Sequence, residues 1–190
     1  MTVGSVLAAL GAALDDAGIQ WMVAGSVASS TWGEVRSTQD IDLVVVATRT
    51  ALVQLCQALP PERWYADVDM AIDAARRQSM FNIIDLETGW KVDVILRKGR
   101  PFSAAEFARR RRVEVDGVEV WVASPEDVIL AKLEWAKSTG SERQARDARG
   151  IVAVQGDALD EAWLRRWAKE LGVETELASV FRDAGRTEHR

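Results

Sequence analysis

Apolar positions in the first two thirds of the chain alternate between a helical period and short runs of strand length. Val3, Val6, Leu7, Leu10 and Leu14 recur at three- and four-residue steps, which predicts an amphipathic helix over residues 2–17 that stops at Gly18. Ile19 to Ala24 is a strand-length run, Gly25-Ser26 a turn, Val27 to Trp32 a short helix and Gln39 to Val46 a second strand. Thr48 caps a helix that turns Leu52, Leu55, Cys56 and Leu59 inward and ends at Pro60-Pro61. A further helix is expected over residues 67–77. Met80 to Leu86 and Lys91 to Leu96 form a hairpin through Glu87-Thr88-Gly89, and Ser103 to Arg110 a short helix. A second hairpin follows, Val113 to Val115 and Val118 to Val122, turning at Asp116-Gly117.

From Ser124 the period becomes helical throughout. Ser124-Pro-Glu-Asp127 combines a capping serine, a proline at the first helical position and acids in the first turn. Helices are expected after it, then over residues 142–154, 158–171 and 173–184. The fold class is therefore α/β (α+β): a mixed β-sheet core with helices over residues 1–123, followed by an α-helical C-terminal part over residues 124–190.

Composition narrows the chemistry. Hydrophobic residues make up 48% of the 190, enough for an ordinary core. The net charge of −5 gives no global electrostatic case for nucleic-acid binding, so an anionic substrate needs a local cationic site or a metal. Cys56 is the only cysteine and His189 the only histidine, which argues against an internal disulfide, a His/Cys zinc site and a Ser-His or Cys-His catalytic pair. With no targeting segment and no apolar run of membrane-spanning length, a cytoplasmic location is expected.

The residues that packing does not explain are acids. Asp40 and Asp42 open an apolar strand, and i and i+2 on a strand share a face. Two carboxylates side by side disfavour joint ionisation unless a cation lies between them. Asp93, inside the apolar strand KVDVIL, is another acid of this kind, and on a neighbouring strand it completes a three-carboxylate site. Oxygen-only ligands select hard cations, Mg²⁺ or Mn²⁺. Strand, glycine turn and helix N-terminus present free N–H groups for an anion at Gly25 and Ser26. Phosphoryl or nucleotidyl transfer suits such a set.

The order Gly-Ser, Asp-x-Asp, later Asp resembles the signature of the DNA polymerase beta-like nucleotidyltransferase superfamily. Within it, GSVASSTWGEVRSTQDIDLVV is similar to the abortive-infection type, which includes toxins of toxin–antitoxin pairs, and SPEDVILAKLEWAKSTGSERQARD is similar to that group's C-terminal helices. The small aminoglycoside nucleotidyltransferases share the skeleton. The resemblance implies a nucleotidyltransferase core in residues 1–123 and transfer of NMP from an NTP, for example ATP, to a hydroxyl acceptor: RNA, a protein or a small molecule. It implies Asp40, Asp42 and Asp93 as metal-binding and catalytic carboxylates, with Asp93 taking the acceptor proton. Gly25 and Ser26 match the phosphate-binding pair, Arg36 and Thr38 an Arg-x-Thr that supports the site or a phosphate, and Lys132 a lysine that reaches the triphosphate. An antitoxin partner is also implied. The alternatives are an inert nucleotide- or partner-binding module of the same fold and an antibiotic nucleotidyltransferase.

Other features have plainer explanations. Arg146 and Asp147 read as a surface or interhelical ion pair, and the alternative for Lys132 is a solvated lysine. The run Arg109 to Arg112 reads as a solvated helix end, with an RNA or triphosphate grip as the alternative. Of the eight tryptophans, Trp135, Trp163 and Trp167 sit at helical spacing and are expected in the core, while Trp32 lies close enough to the Gly-Ser turn to touch a base.

Overall fold

The structure is a computed structural model that describes residues 2–185; His189 lies outside the described residues. The chain divides into two compact units, one made of residues 1–26 and 37–122, the other of residues 27–36 and 123–190. The sequence division at residue 123/124 lies one residue from the second boundary. Residues 27–36, which the sequence assigned to the first part, cluster with the C-terminal helices instead.

The first unit is built on a mixed seven-stranded sheet. Its strands are β1 (Gln20–Ala24), β2 (Asp40–Val46), β3 (Trp64–Ala66), β4 (Met80–Asp85), β5 (Lys91–Leu96), β6 (Arg111–Val115) and β7 (Val118–Val122). They run in the order β3-β4-β5-β2-β1-β7-β6. β2 pairs with β5 in parallel and with β1 antiparallel, and β1 pairs with β7 in parallel. The alternation of β2 fixes its register: Ile41, Leu43 and Val45 are buried on one face, leaving Asp40 and Asp42 on the other.

Three helices complete the packing of this sheet: α1 (Val3–Asp16), α3 (Arg49–Ala58) and α4 (Val68–Arg77). α1 and α4 pack on strands, and α3 lies against both helices. Thr48 caps α3 as expected, its hydroxyl accepting from the Ala51 N–H, and Asp67 does the same for α4. Leu10 and Leu14 of α1 and Leu52 and Leu55 of α3 are almost wholly buried. The turn of the last hairpin has Asp116 and Gly117 both at positive φ, the conformation that Asp-Gly favours. α5 (Pro101–Ala108) ends before the arginine run. Arg109 is its C-cap, and Arg111 and Arg112 are already in β6. The Arg110 guanidinium lies over the Phe107 and Trp121 rings and Arg112 pairs with Glu119, so the run is not a solvated helix end.

The second unit contains α6 (Pro125–Thr139), α7 (Glu142–Gln155), α8 (Glu161–Leu171) and α9 (Glu174–Asp183), with residues 27–32 of α2 (Gly25–Trp32). The acids in the first turn of α6 do more than meet the helix dipole. Both are fully buried. Glu126 accepts from the Asp160 N–H, and Asp127 accepts from the Ser124 hydroxyl and the Trp163 indole, which ties α6 to the start of α8. Trp167 is buried and stacks at a tilt on Trp163, whereas Trp135 is 59% exposed. The buried residues of α6 end at Leu133, so helical spacing alone misplaced Trp135. No helix among the described residues is long and apolar enough to cross a membrane.

Burial, reinforced by the Asp67 charge, raises the Cys56 thiol from 9.0 to about 11. Thiolate is the reactive form, so native protein at pH 8 should react with Ellman's reagent at least about a hundredfold more slowly than unfolded protein. The folded thiol keeps its proton to higher pH than the unfolded one. Its contribution to stability should therefore decline as pH rises from 9.0 towards about 11, as urea titrations would show.

Candidate active site

The acids expected to act together are brought together by strand pairing. In the β2–β5 ladder Asp42 lies opposite Asp93 and Asp40 opposite Lys91. Directly paired residues share a face, so Asp40, Asp42, Lys91 and Asp93 form one patch on the sheet. Asn82 of β4 pairs with Asp93 and continues it. Asp40 is exposed and Asp42 half-buried, whereas Asp93 is 8% exposed.

Gly25 borders the patch from β1. It follows Ala24, which pairs with Asp42, and has φ +57. A Cβ at this position would come within 1.8 Å of Asp42 Oδ2. Glycine is thus required twice, by its left-handed backbone and by the carboxylate against it. The Gly25-Ser26 turn opens α2, so its N–H groups belong to a helix N-terminus beside an acid. Thr38 acts on the backbone: its hydroxyl donates to the Asp40 carbonyl and accepts from the Asp40 N–H, shaping the entry to β2.

Lys91 was not foreseen. Its Nζ stands 3.1 Å from Asp93 Oδ2 and 3.3 Å from Asp40 Oδ1. The Asp93 hydrogen bond, helped by Asp40 and opposed by slight desolvation, holds the ammonium above the ordinary lysine range. The sequence did carry a signal, because Lys91 precedes Asp93 by two and therefore shares its face.

Among the described residues no three His, Cys, Asp or Glu side chains form a ready metal cage. Two observations nevertheless fit a divalent cation. Asp93 Oδ1 is buried and lacks a hydrogen-bond partner, a costly state for a carboxylate oxygen. The Gly25 cradle keeps backbone close to Asp42, in the space a side chain would fill. The donors are all carboxylate oxygens, as Mg²⁺ or Mn²⁺ requires.

Arg36 and Lys132 belong to the second unit. Lys132 Nζ lies 2.6 Å from Asp147 Oδ2, and both side chains are buried. Arg36 Nε is 3.3 Å from Asp147 Oδ1. Lys132 is thus no solvated lysine, and Asp147 joins α6, α7 and the segment after α2 within this unit. Arg146 is exposed. The Trp32 indole donates to the Ala123 carbonyl at 2.7 Å, and its own carbonyl accepts from Gln155.

No family model and no curated protein matches the sequence. Solved structures do. An antigenic nucleotidyltransferase-like protein from Paracoccidioides brasiliensis is 17% identical, with TM-score 0.56, covering 94% of this chain and 91% of that one. The solution structure of the antibiotic-resistance factor ANT(2'')-Ia is 13% identical, with TM-score 0.57, covering 92% and 96%. The crystal structure of ANT(2'')-Ia in complex with adenylyl-2''-tobramycin is 16% identical, with TM-score 0.50, covering 96% and 99%. The chain therefore shares the nucleotidyltransferase fold.

Gly25→Ala and Gly89→Ala separate the two demands on glycine. Both positions have positive φ, but a Cβ at Gly89 meets nothing within 4 Å. Backbone strain should cost each about 1–3 kcal/mol. Gly25→Ala should lose more because Asp42 must move, and the difference between their melting temperatures measures that displacement. Lys132→Met strands the buried Asp147 carboxylate with Arg36 alone. Loss of one buried partner costs about 3–5 kcal/mol, and with Arg36 retained a loss of about 2–3 kcal/mol is expected by urea denaturation.

Proposed function

We propose that the chain is a divalent-cation-dependent nucleotidyltransferase that moves a nucleoside monophosphate from an NTP to a hydroxyl acceptor and releases pyrophosphate. One juxtaposition carries this reading: the Gly25 backbone closing on Asp42 while Asp93, opposite Asp42, holds a buried oxygen without a partner. The shared fold supports it.

In this reading Asp40, Asp42 and Asp93 hold the cation, Mg²⁺ or Mn²⁺, which supplies charge neutralisation for the triphosphate and the developing negative charge. The Gly25-Ser26 turn receives phosphate oxygens on its N–H groups and the Ser26 hydroxyl. Asp93 takes the proton of the acceptor hydroxyl as its oxygen attacks the α-phosphorus. The bond between the α-phosphorus and the bridging oxygen to the β-phosphate breaks, and pyrophosphate leaves. Thr38 keeps Asp40 aligned through its backbone. Arg36 and Lys132 act by ordering Asp147 in the second unit.

The acceptor class, RNA, protein or small molecule, is open to direct assay. The sequence resemblance to abortive-infection type enzymes leads us to propose a cytoplasmic toxin with an antitoxin partner, which should arrest growth when expressed alone. One observation favours a second reading, a nucleotide-binding module without turnover: Lys91 already bridges Asp40 and Asp93.

Incubation with α-labelled NTPs, Mg²⁺ and pools of RNA, protein or aminoglycoside should transfer label to one pool. Asp42→Ala should lower transfer by about a hundredfold to a thousandfold, the range ascribed to loss of one transition-state charge stabiliser. NTP-dependent thermal stabilisation without transfer to any pool would favour the inert module.

A further inference from the structure

Three carboxylates crowd onto two paired strands, yet the strands hold their register. On β2, Asp40 and Asp42 are two residues apart, and Asp93 lies directly across from Asp42. Like charges facing one another across a ladder are destabilising. The Lys91 ammonium spans the strands to touch Asp93 Oδ2 and Asp40 Oδ1.

We propose that Lys91 is the resident counter-cation of this cluster: its ammonium holds Asp40 and Asp93 together before a divalent cation arrives, competes for the same carboxylate oxygens, and is released from them when that cation binds. The inference rests on the cation-dependent reading above and deepens it, naming the residue that sets the affinity and the exchange.

Charge, geometry and mobility each contribute. One ammonium shared between Asp40 and Asp93 leaves that pair of carboxylates with one negative charge in excess, which favours a more highly charged cation in its place. Lys91 engages one oxygen of Asp93 and leaves the other, Oδ1, buried without a partner, so it fills the demand only in part. Its side chain is 37% exposed and stands on a flexible stem, so it can leave without disturbing the strand. Asp40, at 56% side-chain exposure, can also turn once released. The freed ammonium then has an anionic neighbour to meet, the phosphates of a bound triphosphate. Lys91 is thus a positioning residue for the apo site.

The test measures binding of Mn²⁺ alone, by loss of the free-ion EPR signal, and the melting temperature without metal. Lys91→Met and Lys91→Gln remove the charge, Lys91→Arg keeps it, and Asp93→Asn reports whether binding is at the cluster. Both neutral variants should bind Mn²⁺ at least about tenfold more tightly, since a like charge within hydrogen-bonding reach of the ligands is gone. They should also melt lower than wild type in chelator and gain more on adding Mn²⁺. Lys91→Arg should restore the metal-free melting temperature. Equal or weaker Mn²⁺ binding in folded neutral variants, with wild type binding normally, overturns the role of Lys91 and leaves the cation-dependent reading intact. Binding by the neutral variants but not by wild type supports Lys91 as the resident cation and overturns the cation-dependent reading. No binding by any variant overturns both.

Discussion

The site is governed by the cost of placing three carboxylates on one face of a sheet. Asp42 and Asp93 are locked opposite one another by the parallel ladder, and Asp40 shares the face of Asp42. The ladder cannot slip by one residue to separate them, because that would carry Ile41, Leu43 and Val45 out of the core. Hydrophobic burial on one face thus enforces charge crowding on the other. Positive charge relieves this crowding, and the Lys91 ammonium on the same face meets Asp40 and Asp93.

The same logic explains what was legible in the sequence. Strands with a two-residue period announced themselves, and once β2 was located the shared face of Asp40 and Asp42 followed. The third acid was legible because an aspartate among Val92, Val94, Ile95 and Leu96 has no packing reason to be there. That β5 lies beside β2 was less legible, since it depends on a parallel pairing between segments half a domain apart. β3 was missed because Trp64–Ala66 is too short to show a period. Lys91 was missed for a different reason: a lysine at a strand start reads as solvated, and its role depends on Asp40 lying across the ladder.

In the second unit, local signals were right about position and incomplete about purpose. Ser124, Glu126 and Asp127 look like a helix start and are one. Yet Glu126 and Asp127 are wholly buried, and each holds a group at the start of α8. Gly33 likewise carries tertiary information: a Cβ there would press on the Ile151 backbone nitrogen at 2.9 Å, so residues 27–36 can lie against α7 only with glycine at that point. Neither fact is visible in a local window. The Gly33 contact helps explain why a segment between two strands clusters with the C-terminal helices.

A fold shared at 13–17% identity shows how little of the sequence the architecture constrains. In this chain the demanding positions near the site are few and unlike in kind. Gly25 is constrained by backbone shape and by the space Asp42 takes. The acids are constrained by register. Lys91 is constrained only by charge and reach, since a flexible stem delivers the ammonium from a half-exposed position. A rigid part and a movable part therefore meet at the same carboxylates. The backbone at Gly25 fixes where Asp42 can be, while in the proposed exchange the half-exposed ammonium would give way to a cation without any strand moving. Exchange of one cation for another on a fixed frame needs less reorganisation than assembling three acids anew, and the β2–β5 ladder provides that frame.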